Sequence, residues 1–308
     1  MSKSIDLFSG VGGFSLACEN NNVECIFAND FESKCKIIYD QNFKIKQTTR
    51  DIREIIEFQN FDILTAGFPC QSFSIAGKRL GFTDINRGNL FFEIIRILKN
   101  KKPQAFILEN VKNLISHDNG KTFKIIQEEL DKSGYSYKYK IMDTSEYGNI
   151  PQHRERIYIV GFKDEIKTNK FNFPEKITLD KKVNDILEDK IEEKYYYNKE
   201  SKIYSKLLNT IVDKNKIYQY RRHFVRENKK NLCPTLTANM GMGGHNVPII
   251  LDDKGIRKLT PRECFNLQGF PETFKLSGIS DSSLYKQSGN SVSIPVVDRI
   301  VKELVRVL

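Results

Sequence analysis

Over the first 160 or so residues, strand-sized apolar runs alternate with helical stripes, and this limits the fold more than any other property of the sequence. The strand-like segments are residues 4–8, 24–29, 62–67, 105–109, 137–143 and 156–162. Between them lie helical patterns such as residues 89–100, with Leu90, Ile94, Ile97 and Leu98 on one face, and residues 122–132, with Phe123, Ile126 and Leu130. Alternation of this kind implies an α/β protein with a mostly parallel, doubly wound, Rossmann-like sheet. From about Lys176 the periodicity weakens and Lys, Glu, Asn and Tyr dominate. The expected division is therefore a first domain of residues 1–175, completed by 288–308, and a smaller, irregular second domain of residues 176–287. The tail recovers a helical stripe (Val297, Ile300, Val301, Leu304, Val305) that should pack back on the first domain.

In an open α/β sheet, chemistry gathers in the loops beyond the carboxyl ends of the strands. Residues 5–14, Ile-Asp-Leu-Phe-Ser-Gly-Val-Gly-Gly-Phe, read as a strand running into a glycine turn and a helix. Gly10, Gly12 and Gly13 let a ligand approach the backbone there. Asp30, about twenty residues on, is placed to bind ribose hydroxyls. The spacing is not the strict Gly-x-Gly-x-x-Gly of pyrophosphate binders, which favours a nucleoside cofactor without a pyrophosphate, such as S-adenosylmethionine. A purely structural glycine turn remains the alternative. Phe68-Pro69-Cys70-Gln71 follows the third apolar run. Pro69 fixes its own φ and pushes Phe68 toward extended geometry, so Cys70 is presented rather than packed. Free cysteines are more often small buried hydrophobes, and downstream residues decide between the two readings. Leu108-Glu109-Asn110-Val111 sets a carboxyl at a strand end on the same rim as Cys70. Gln152-His153-Arg154-Glu155-Arg156 sets two guanidiniums on alternate positions, on one side if extended. Gln287-Ser288-Gly289-Asn290-Ser291-Val292 precedes the last helix.

Hydrophobic content of 39% and charged content of 29% describe a soluble globular chain, and no apolar run approaches a bilayer span. The N-terminus enters a strand at once, leaving no room for a signal peptide. Six cysteines without Cys-x-x-Cys spacing argue against zinc and against a disulfide framework, and fit a reduced, cytoplasmic setting. Net charge is +10. Residues 194–230 hold eleven Lys and Arg against three acids, so most of the surplus sits there. Tyr195, Tyr196, Tyr197, Tyr204, Tyr218 and Tyr220 are interleaved with it, a composition that suits phosphate tracking and base contact. A solvated basic face is the plainer reading.

Taken in order, these segments resemble the motif set of cytosine-5 DNA methyltransferases of bacterial restriction–modification systems. Arg257-Lys258-Leu259-Thr260-Pro261-Arg262-Glu263-Cys264 with Gln268-Gly269-Phe270-Pro271 resembles a further block of that family, and Thr235-Leu236 its short Thr-Leu pair. The resemblance implies a methyltransferase sheet with a target-recognition domain, and methyl transfer from S-adenosylmethionine to C5 of cytosine within a short site in double-stranded DNA, leaving S-adenosylhomocysteine. No metal is implied. It also implies a monomer and a cognate restriction endonuclease encoded nearby. Cytosine C5 is a poor nucleophile, so a thiolate must first add at C6; the resemblance gives that part to Cys70. Glu109 would donate to N3, and Arg154 and Arg156 would hold O2 and a phosphate. The base must leave the duplex to be reached. Phe8, Phe31, Asp51, Pro69 and Asn290 join Gly10, Gly12, Gly13 and Asp30 as expected cofactor contacts. Gln71, Ser74, Arg221, Arg222, Arg226, Thr235 and Leu236 are expected at DNA, with residues 74–88 as a closing loop. The competing readings are a tRNA cytosine-5 methyltransferase, which typically shows Pro-Pro-Cys-Gln, and a non-catalytic DNA-binding relative.

Overall fold

The structure, a computed structural model, describes residues 1–69, 90–221, 223–242 and 246–308. Along the chain run β1 (Lys3–Leu7), α1 (Gly13–Asn20), β2 (Glu24–Asn29), α2 (Ser33–Asn42), β3 (Ile63–Gly67), α3 (Leu90–Lys101), β4 (Ala105–Val111), α4 (Lys121–Lys132) and β5 (Ser136–Asp143). Next come α5 (Thr144–Tyr147), β6 (Gln152–His153), β7 (Glu155–Phe162), α6 (Glu165–Lys170), α7 (Tyr204–Leu208), β8 (Tyr218–Arg221), β9 (Phe224–Glu227) and β10 (Cys233–Pro234). The remainder holds β11 (Ile249–Leu251), β12 (Ile256–Lys258), α8 (Pro261–Asn266), α9 (Asp281–Asn290) and α10 (Ile294–Val305). Residues 1–142, 155–175 and 296–308 form one compact unit, and residues 143–154 with 176–295 form a second.

The first unit is built on a six-stranded sheet in the order β2-β1-β3-β4-β7-β5. β1 runs parallel to β2 and β3, and β3 parallel to β4, whereas β4 and β7 are antiparallel. An antiparallel strand beside an otherwise parallel sheet is common in doubly wound folds. β4 reads Ala-Phe-Ile-Leu-Glu-Asn-Val and is buried through Asn110, as expected of a strand covered on both faces. Helices bury one stripe each: Phe91, Ile94 and Leu98 on α3, and Phe123, Ile126 and Leu130 on α4. The tail behaves as its stripe predicts. Val297, Ile300, Val301 and Leu304 are wholly buried. Asn21, closing α1, donates to the Asp298 carbonyl at 3.2 Å and to its carboxylate at 3.0 Å, which ties α10 to the first helix.

The second unit carries a four-stranded antiparallel sheet, β12-β11-β8-β9, and a two-stranded parallel pair, β10-β6. Its core gathers Ile217, Cys233, Leu236, Leu259, Cys264, Leu267 and Tyr285. At its centre Arg257 is buried, donating to both carboxylate oxygens of Glu263 at 2.8 Å and to Asp252 at 2.7 Å. Glu263 also accepts from the Thr260 amide while the Thr260 hydroxyl accepts from the Glu263 amide, and Pro261 opens the helix; this capping box starts α8. Tyr195 and Tyr218 do not lie on a surface: both are buried, and the Tyr195 hydroxyl donates to Asp281. Among the described residues no helix is long and apolar enough to cross a membrane.

Candidate active site

The glycine turn begins where β1 ends. Phe8 and Gly10 both take positive φ, +55° and +54°, and the Ser9 carbonyl accepts from the Gly12 amide at 2.8 Å. A side chain at Gly12 (φ +94°) would put its Cβ 2.3 Å from the Phe43 ring, so glycine is needed there for close packing. At Gly10 the same atom would meet nothing within 4 Å. The outer side of the turn is therefore open, and Gly13 follows as the first residue of α1.

Asp30 stands just past β2. One of its carboxylate oxygens accepts from the Gly10 amide and the other from the Glu32 amide, each at 2.8 Å. The acid expected to meet ribose thus also shapes the turn. Phe31 beside it is 79% exposed, an unusual state for a large aromatic unless something covers it. Asp51 caps the short helical turn Ile52–Glu54 and pairs with Arg53, whose guanidinium holds its carboxyl below the usual range.

Two residues of this region were not singled out from the sequence. Asp6, buried on β1, accepts from the Ser15 hydroxyl at 2.7 Å and amide at 3.1 Å, and from the Thr65 hydroxyl at 3.1 Å. Burial pushes its pKa up to about 7, against the pull of those hydrogen bonds. Gln47 reaches under the turn, its amide donating to the Gly10 carbonyl at 2.7 Å and the Ser9 hydroxyl at 2.8 Å. An acid inside the strand was a visible signal for the first. Nothing in the polar stretch around Gln47 marks the second.

The carboxyl ends of β3 and β4 and the amino end of antiparallel β7 bring a second group together. Parallel register sets Gly67 opposite Glu109, and antiparallel register sets Val111 opposite Arg156. Arg156 Nε lies 3.1 Å from Glu109 Oε1, with both side chains largely buried. Buried Asn110 donates to the Phe68 carbonyl at 2.9 Å, which pins the chain just before exposed Pro69. Cys70, Gln71, Ser74 and Arg222 lie outside the described residues, as does the loop expected to close over DNA.

Arg154 belongs to the second unit and is 2% exposed. Its guanidinium donates to the carbonyls of Leu236 at 2.9 Å, Ser291 at 2.6 Å and Gly289 at 3.3 Å. It thereby joins the Thr-Leu pair to the end of α9, where Asn290 is exposed. Thr235 donates to the His153 carbonyl at 2.7 Å, and Leu236 is buried. Gln152 and Gln268, not singled out from the sequence, tie the same layer, donating to the carbonyls of Leu267 and Ser288 at 2.7 Å each. Arg221 and Arg226 stand exposed on the β8–β9 hairpin. The Gln219 side-chain oxygen accepts from both, at 3.1 Å and 3.4 Å, on the face that also shows Phe224.

The family model of C-5 cytosine-specific DNA methylases matches residues 2–306. Type II methyltransferase M.Bsp6I of Bacillus sp. (strain RFL6) is 50% identical over 304 residues, covering 97% of this chain and 96% of the relative. Type II methyltransferase M.HaeII of Haemophilus aegyptius is 42% identical, covering 99% and 93%. The Dnmt2 methyltransferase of S. pombe has the same fold, with a TM-score of 0.76 at 21% identity over 99% of both chains. The methyltransferase EhMeth of Entamoeba histolytica gives 0.75 at 20%, over 99% of this chain and 98% of its own. Neither the tRNA reading nor the non-catalytic one is favoured by the type II relatives. With the motif set in order, a family match across nearly every residue and close relatives of full length, the chain belongs to the C-5 cytosine-specific DNA methylases of the type II, restriction–modification kind.

Proposed function

We propose that this DNA methyltransferase works on a cytosine flipped out of double-stranded DNA, with Cys70 as nucleophile and S-adenosylmethionine as methyl donor. The observation that carries the reading is the Glu109–Arg156 pair at the ends of β4 and β7, with Asn110, next to Glu109 in the chain, pinning the Phe68 carbonyl just before Pro69. A carboxyl and a guanidinium side by side suit the N3 and O2 edge of a cytosine. The glycine turn suits the donor: the space over Gly10 is open, and the Asp30 carboxylate, an acceptor of the kind ribose hydroxyls need, stands at that turn beside an exposed Phe31. Phe8, Gly12, Gly13, Asp51, Pro69 and Asn290 complete the set the resemblance assigns to it. When bound, the donor supplies an electrophilic methyl group.

In this reading the Cys70 thiolate forms a bond to C6, and the ring electrons it displaces make C5 nucleophilic. Glu109 hydrogen-bonds N3 and meets the charge that develops there, while Arg156 holds the carboxyl in place and adds positive potential. C5 takes the methyl group, a base removes its proton, and the returning electron pair expels the thiolate. Arg154, whose two terminal nitrogens donate to the carbonyls of Leu236, Gly289 and Ser291, fits a part in holding the recognition layer rather than the base. The second unit reads the site, with Arg221 and Arg226, and Arg222 by its place in the sequence, as base-edge candidates.

Trapping tests the reading. DNA with 5-fluorocytosine at the target cannot lose the C5 substituent, so the chain should form a denaturation-resistant complex that Cys70→Ser abolishes. Turnover on ordinary DNA without any trapped complex would remove Cys70 from the mechanism.

A further inference from the structure

Gly10 is held from two sides. Asp30 accepts from its amide at 2.8 Å, and the Gln47 side-chain amide donates to its carbonyl at 2.7 Å. The same Gln47 nitrogen reaches the Ser9 hydroxyl at 2.8 Å, and that hydroxyl in turn faces the Asn29 carbonyl at 3.2 Å. Gln47 is itself anchored, its backbone amide donating to Asp40 at 2.9 Å and its carbonyl accepting from Lys36 at 2.5 Å. The side chain is 1% exposed, and its Oε1 is buried without a hydrogen-bond partner among the described residues.

An unsatisfied buried amide oxygen is a cost that an apolar side chain of the same length would avoid. Filling space does not explain glutamine here. What the amide does is fix the peptide plane at a residue with φ +54° whose outer side faces open space. A glycine has wide freedom, so a turn that must present its backbone to a ligand gains from being held in advance.

We propose that Gln47 is a positioning residue for the methyl donor, acting through the Ser9–Gly10 backbone and not by touching the ligand. The proposal rests on the reading of the glycine turn as the donor site. Gln47→Met keeps length and apolar bulk but removes both donated bonds. Calorimetric titration of the full chain with S-adenosylhomocysteine, without DNA, should show affinity weakened about tenfold, the scale of one lost buried hydrogen bond. KM for S-adenosylmethionine should rise by a similar factor while kcat changes by less than about twofold. Thermal unfolding should be unchanged or later, since the orphaned oxygen is gone too. Gln47→Glu, which keeps the acceptors and loses the donors, should weaken the ligand likewise and stands in if the methionine variant does not fold. Affinity within twofold of the parent in a folded variant would overturn the proposal, as would an equal fall in kcat with KM untouched. If the parent chain itself does not bind S-adenosylhomocysteine, the assignment of the turn fails instead.

Discussion

Asp6 shows what a single buried charge asks of this fold. Its pKa is pushed up to about 7 by burial, so between pH 4 and 7 the folded chain holds a proton that the unfolded chain has released. Its contribution to stability is fully present at low pH and is lost as pH rises through about 7, a change on the order of 4 kcal/mol if the whole shift is expressed. Asp6→Asn cannot ionise and keeps an acceptor for Ser15. Thermal unfolding followed from pH 5 to 8 should show the variant gaining on the parent as pH rises. Parallel curves would mean that the Asp6 proton does not titrate with folding. Glu109 makes a different demand. Glu109→Gln keeps the shape beside Arg156 but cannot transfer a proton to N3, so single-turnover methyl transfer should fall by roughly 10²–10⁴ while DNA binding persists. Unchanged transfer would leave Glu109 only the task of tying the ends of β4 and β7.

Elements with a buried stripe were legible in the sequence because burial imposes period. Residues 297–304 of α10 could be read from the spacing of Val297, Ile300, Val301 and Leu304, and all four are wholly buried. Ile300→Ala should cost 2–5 kcal/mol, about the range for emptying an aliphatic core position, and urea titration measures it. The direction of β7 was not legible, since an apolar run has no sign. Nor were the contacts of Arg154: its partners are backbone carbonyls of residues 236, 289 and 291, and side-chain chemistry does not advertise them. Tyr195 and Tyr218 misled for a related reason. Interleaving with lysine suggests a base-contacting surface, yet both rings are core, because composition says nothing about which way a side chain faces. The Arg257 cluster belongs to the same unpredicted layer. Arg257→Met would leave Glu263 buried at 0% exposure without its counter-ion, and would remove the ion pair to Asp252. Loss of about 3–5 kcal/mol is expected, read as early unfolding of the unit that carries β8 and β9.

At the scale of the whole chain, what identified the enzyme was the order of short motifs across large spacers, which survives without any knowledge of how the units are arranged. In the function proposed above, recognition of the site falls to the part with no motif. The net charge of +10 resides mostly between residues 194 and 230, and the structure sorts it. Lys214 and Lys216 are paired with Asp253 and Glu227, whereas Arg221 and Arg226 are exposed and aligned by Gln219. Lysines on phosphates weaken all DNA alike and lower the dependence of affinity on salt when neutralised. An arginine on a guanine edge costs about 1–3 kcal/mol and relaxes the site at one position. Neutralising Lys199, Lys202 and Lys206 together should therefore flatten the salt slope without altering which cytosine is methylated. Arg221→Ala and Arg226→Ala should leave the slope nearly unchanged and widen the set of methylated sequences, as bisulfite sequencing of exposed DNA would show. Exchanging residues 194–246 for the matching segment of a relative with another site should move methylation to that site. Retention of the original pattern after the exchange would place recognition elsewhere and reduce this basic stretch to a solvated face.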